Sequence, residues 1–121
     1  MRHGSIMARL RLYLVTFDLV DTVPGDPRYQ AADSSLRMYG PVFRPLKQNR
    51  FIITESEPET IRLSLAQRIG SDCSVIVIPI RSVSSWNISR RGKRNEWRKL
   101  VSALNAANIQ IAGISENYAS Q

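Results

Sequence analysis

Cysteine and histidine are almost missing from this chain, which has one of each, Cys73 and His3. A single cysteine excludes an internal disulfide and any cysteine-rich metal cluster. Cys73 lies just ahead of the apolar run VIVIPI and reads as a small buried hydrophobe. A single histidine, in what reads as a disordered leader, excludes a zinc site built on several histidines and leaves a Ser-His-Asp triad without its base. No apolar run reaches the ~18 residues of a membrane span. Arg2, Arg9 and Arg11 ahead of apolar residues imitate a signal peptide, but Asp18 breaks the run and no small-residue cleavage site follows. No glycine-rich phosphate loop is present, which leaves a metabolite-sensing reading without a motif. The expectation is a cytoplasmic protein with no membrane partner.

What is present is base. The chain has 17 Lys and Arg against 10 Asp and Glu, for a formal charge of +7. Between Arg81 and Lys99 stand Arg90, Arg91, Lys93, Arg94 and Arg98 with only Glu96 opposing them. A one-sided excess of this kind points to a polyanionic partner, RNA or DNA being the commonest; the alternative is a solvated helix face. With 121 residues, 43% of them apolar, the chain is large enough for one domain with a real core.

The segment from Leu10 to Asp21 organises the rest. Leu10, Leu12, Leu14 and Thr16 alternate with Arg11, Tyr13, Val15 and Phe17, so this strand is apolar on both faces and belongs in the middle of a sheet. It delivers a carboxylate, Asp18, to its end, with Asp21 three residues on. The competing reading of Asp18 is an acid that caps the following turn. A loop over 21–27 leads to a helix with Tyr29, Ala32, Leu36 and Tyr39 on one stripe, closed by Gly40-Pro41. Two short strands follow, about 42–45 and 49–54, turning near Lys47-Gln48-Asn49. Ser56 and Glu59 match a capping box for a second helix, with Ile61, Leu65 and Ile69 as its stripe and Gly70 as its stop. Val75 to Ile80 is a fourth strand.

The order βαββαβ over residues 9–81 predicts an α+β fold, a ferredoxin-like antiparallel sheet with two helices on one face and the first strand central. Beyond it the spacing predicts an added C-terminal helix, 93–107, with Trp97, Leu100, Val101 and Leu104 inward, and a short edge strand at Ile109–Ile111. Residues 1–8 read as a disordered leader, 9–114 as the single domain with its basic helix, and 115–121 as a tail. Trp86 fits no periodic pattern and suits packing at the sheet edge, a stacked base or a dimer contact. Tyr13 and Phe17 share a strand face, which suits a dimer interface.

Three patterns carry a family likeness: YLVTFDL at Tyr13–Leu19, RFIITES at Arg50–Ser56, and DCSVIVIPI at Asp72–Ile80 with Trp86 shortly after. Over about residues 10–90 the chain resembles the small CRISPR-associated nuclease family and its relatives, virulence-associated protein D and the SinR-like proteins. The resemblance implies a homodimer formed through the sheet, the last strand often pairing with the partner's sheet. It also implies that the Asp18 carboxylates face each other across the twofold axis and share Mg²⁺ or Mn²⁺ for phosphodiester cleavage. Asp18 is then the catalytic and metal-binding residue, and Arg90, Arg91, Lys93, Arg94 and Arg98 contact the nucleic acid. The loop 21–27, the helix 93–107 and the arginine-rich connection depart from the family's minimal pattern, and several members act as scaffolds. The two functional expectations are therefore a metal-dependent endoribonuclease or DNase, and a non-catalytic nucleic-acid-binding or adaptor dimer.

Overall fold

The structure is a computed structural model that describes residues 9–46, 49–70, 72–83, 86–88 and 91–114. The expected leader and tail, the turn at Lys47-Gln48 and Arg90 lie outside these residues. In chain order the elements are β1 (Arg11–Asp18), α1 (Pro27–Arg37), β2 (Val42–Phe43), β3 (Asn49–Thr54), α2 (Pro58–Ile69), β4 (Ser74–Pro79) and α3 (Arg91–Ala106). The strands form one antiparallel sheet in the order β2-β3-β1-β4. β1 is central, with Leu14 opposite Phe51 on one side and Ile78 on the other.

Both faces of β1 are used, as its composition requires. Tyr13, Val15 and Phe17 pack with Ile52 under α1 and α2, against Ala32, Leu36, Ile61, Leu65 and Ile69. Leu12 packs on the other face with Phe43, Phe51 and Ile53 under α3, against Trp97, Leu100, Val101 and Leu104. Each Val, Leu, Ile or Phe side chain among these, fully withdrawn from water, contributes about 1.5–3 kcal/mol. The outcome is an α+β domain with a four-stranded antiparallel sheet and three helices, consistent at that level with the expected class. Tyr13 and Phe17 are core residues, not dimer contacts, because α1 and α2 already cover their face.

Local details differ from expectation for identifiable reasons. The capping box at Ser56 does not form. Glu57 is the N-cap, and Pro58, preset for the first helical position, starts α2 there. Glu59 then pairs with Arg62 at 2.6 Å, and the Ser56 amide donates to Thr54 Oγ1. α1 is capped instead by Asp26, whose carboxylate accepts from the Arg28 amide. It ends at Arg37, short of Gly40. Gly40 serves close approach: a Cβ there would meet the Ile53 carbonyl oxygen.

β2 stops at Phe43 because the Arg44 amide turns to Glu96 Oε1, at 2.9 Å, and Pro45 has no amide to offer. Residues 109–111 form no strand. Ile111 and Ile114 sink into the α3 core, leaving one parallel bridge between Ser82 and Ala112. Trp86 belongs to the same core. Its ring lies 4.9 Å from that of Trp97, and its Nε1 donates to the Gly113 carbonyl. No described helix is long and apolar enough to cross a membrane.

Candidate functional site

Asp18 closes β1 opposite Ser74 of β4. Strand alternation puts it on the α3 side of the sheet with Leu14, Thr16, Ile76 and Ile78. α3 covers only part of that face. Leu12 and Phe51 are buried, whereas Ile76 is 57% and Ile78 39% exposed. The Asp18 side chain is exposed and makes no hydrogen bond or ion pair among the described residues. Asp21 lies in the turn that follows, with φ +51°. No three His, Cys, Asp or Glu side chains cluster to hold a metal among the described residues.

The loop leaving β1 is held by Arg28, a residue that belongs to no stripe or motif in the sequence. Its guanidinium grips the Asp26 carboxylate at 2.7 Å and reaches the Val20 carbonyl at 2.6 Å. The side-chain hydrogen bond from Arg28, then that from its amide, hold Asp26 down to a pKa of about 2.

The basic segment divides into two uses. Lys93 is structural, its Nζ donating to the Arg44 carbonyl at 3.0 Å. With Glu96 on the Arg44 amide, it fastens the start of α3 to the end of β2. Arg94 and Arg98, four residues apart, are exposed together on the outer face, with Lys99 beside them. Lys99 is tied loosely to Glu96 at 3.5 Å. Arg91 opens the helix. β1 and β2 run the same way on either side of β3, and extending the β2–β3 register by one step sets Arg44 level with Arg50 and Val15, three residue steps short of Asp18. The Arg44 anchor and Asp18 are thus about 10 Å apart across the sheet and about 10 Å apart along the strands.

The β2–β3 side of the sheet is braced by a buried ion pair between residues of different elements. Arg50 Nε donates to Asp33 Oδ1 at 2.6 Å, and Arg44 Nη1 lies 3.3 Å from Asp33 Oδ2. The Arg50 guanidinium sits 5.4 Å from the centre of the Phe17 ring. Burial lowers the Arg50 pKa, and the hydrogen bond and charge of Asp33 oppose that fall. The available signal was an arginine inside the apolar run RFII and an acid beside Ala32 in a helix stripe.

At the other end of the sheet an open cleft of about 680 Å³ lies between the start of β1, the end of β4 and the turn after α3. Arg9, Arg11 and Arg81 line it, with Glu55 as its one acid. Along the chain these arginines belong to two separate groups, an N-terminal cluster and the basic stretch, and only the fold brings them together.

Comparison with protein-family models, with curated proteins and with solved structures finds no match to this chain.

Proposed function

We propose that the protein is a cytoplasmic, nucleic-acid-acting homodimer of ferredoxin-like fold. In this reading it is a metal-dependent endoribonuclease or DNase of the small CRISPR-associated nuclease type. The observation that carries this reading is the position of Asp18. It is an exposed, unpaired carboxylate on the uncovered part of the sheet, beside the exposed Ile76 and Ile78. A second copy meeting that face about a twofold axis would bury both isoleucines and bring a second Asp18 toward the first. The strand order β2-β3-β1-β4 supports the fold assignment.

One carboxylate from each copy fits Mg²⁺ or Mn²⁺, since such ions are held by one or two carboxylates and keep several waters. Bound there, the ion would activate water and offset charge on a phosphodiester. Arg94 and Arg98, exposed on α3, would hold flanking phosphates. The test is cleavage of labelled RNA and DNA with Mg²⁺, Mn²⁺ or chelator. Asp18→Ala abolishes metal-dependent cleavage if the reading holds; full activity in that variant rejects it.

A second reading, a non-catalytic nucleic-acid-binding or adaptor dimer, is favoured by the absence of any group of three His, Cys, Asp or Glu side chains around Asp18 among the described residues. It expects binding without cleavage. Replacing Arg94 and Arg98 together would then reduce the log–log salt slope by about 2.

A further inference from the structure

The cleft at the far end of the sheet has no part in that reading. Seven residue steps of β1 separate it from Asp18, roughly 23 Å at 3.3 Å per residue. We propose that it binds a nucleotide-sized anion through its phosphate.

Its charge is the first argument. Arg9 and Arg81 are exposed and have no carboxylate partner among the described residues. Arg11 is partly engaged, 3.7 Å from Glu57 and 3.2 Å from the Tyr13 hydroxyl. The amide of Ile80 donates to the Leu12 carbonyl at 2.9 Å, carrying the β1–β4 ladder one step past its last registered pair. Arg81 then lies in a bend just ahead of the Ser82–Ala112 bridge. Arg9 and Arg81 can each offer an anion in the cleft a charge-assisted contact, a use to which guanidinium groups are suited.

The shape is the second argument. A volume of about 680 Å³ is that of a small-molecule site, which combines apolar walls with a few polar groups. Leu10, 40% exposed, and the half-buried Ile80 offer an apolar wall for a base or another flat ring. Exposed Asn108 and Gln110 supply amides for its edge or for a ribose. The end of α3 also borders the cleft, and a bare helix C-terminus would repel an anion. Here three of its last four carbonyls already have partners. Ala103, Leu104 and Asn105 accept from the amides of Ala107, Ile109 and Asn108.

The same chemistry is offered by a free mononucleotide and by the phosphorylated end of a nucleic-acid strand. Calorimetric titration of the full chain at low salt separates the cases. Probes are AMP, adenosine, and one tetranucleotide with a 5′-phosphate or a 5′-hydroxyl. Binding of AMP but not adenosine is expected. Tighter binding of the 5′-phosphorylated tetranucleotide than of AMP identifies a strand end; the reverse identifies a free nucleotide. Arg9→Gln and Arg81→Gln should each weaken AMP binding roughly tenfold, the loss of one charge-assisted contact. Arg37→Gln, on the exposed last turn of α1, should leave it unchanged. In the unmodified protein, AMP should shift the side-chain amide resonances of Asn108 and Gln110, a readout independent of the variants' folding. Equal binding of AMP and adenosine, no binding of either, or indifference to both arginine substitutions overturns the proposal.

Discussion

Arg50 and Asp33 form an ion pair across the interior, Nε to Oδ1 at 2.6 Å, with the arginine side chain wholly and the aspartate almost wholly out of water. The pair joins β3 to α1 and lies over the ring of Phe17 from β1. Asp33 also meets Arg44, whose backbone anchors α3, so one carboxylate links three layers of the domain. Removing it strands a buried cation. Asp33→Ala should cost about 3–5 kcal/mol in a urea or guanidinium melt. The double replacement Asp33→Leu with Arg50→Met should recover most of that loss. If the single variant melts like the parent, the pair is not the brace described.

The Asp26 cap makes an acid limb. Its folded-state pKa of about 2 lies below the ordinary 3.8, chiefly through the Arg28 hydrogen bond. A lowered folded pKa contributes stability that is present above the unfolded value and is lost as pH falls through the folded one. Melting temperature should therefore drop between pH ~4 and ~2, the interval between the two values, and Asp26→Asn should flatten that drop. A variant with an unchanged acid limb would assign the loss to other carboxylates.

Gly113 is forced by two constraints at once. Its φ is +85°, and a Cβ would run into the carbonyl oxygen of Val83 where the 82–83 segment meets Ala112. Gly25 has φ +73° but open space around it. Gly25→Ala should cost about 1 kcal/mol from strain alone. Gly113→Ala adds a steric clash of about 1–3 kcal/mol and should be clearly the worse of the two in thermal melts.

Ile76 and Ile78 test the proposed dimer. They are exposed side by side on β4, the sheet's edge strand, on the face that α3 leaves open. Ile76→Lys with Ile78→Lys should shift the protein from dimer to monomer in sedimentation or light scattering. Its melt as a monomer should differ little, since exposed positions away from special features change stability by about 0.5 kcal/mol or less. A dimer that survives both charges is built through another surface.

The chain's own periodicities determined the elements. The two-faced apolarity of β1, the stripes Ala32–Leu36 and Ile61–Leu65–Ile69, and the inward face Trp97–Leu100–Val101–Leu104 are one-dimensional patterns, and each one packs as its spacing says. Position in the sheet was legible in β1 because only a central strand can bury both sides. The tertiary structure alone decided which charges are structural and which are free. Nothing local separates Lys93, spent on the Arg44 carbonyl, from Arg94, exposed one residue later. Nor does local sequence show that Arg9 and Arg81, 72 residues apart, share a cleft, or that Asp33 and Arg50 meet in the core. Hydrophobic burial repeats with the geometry of a helix or strand and so leaves a trace along the chain. Charge pairing depends on which elements the sheet order makes neighbours, and that is fixed only when the chain closes on itself.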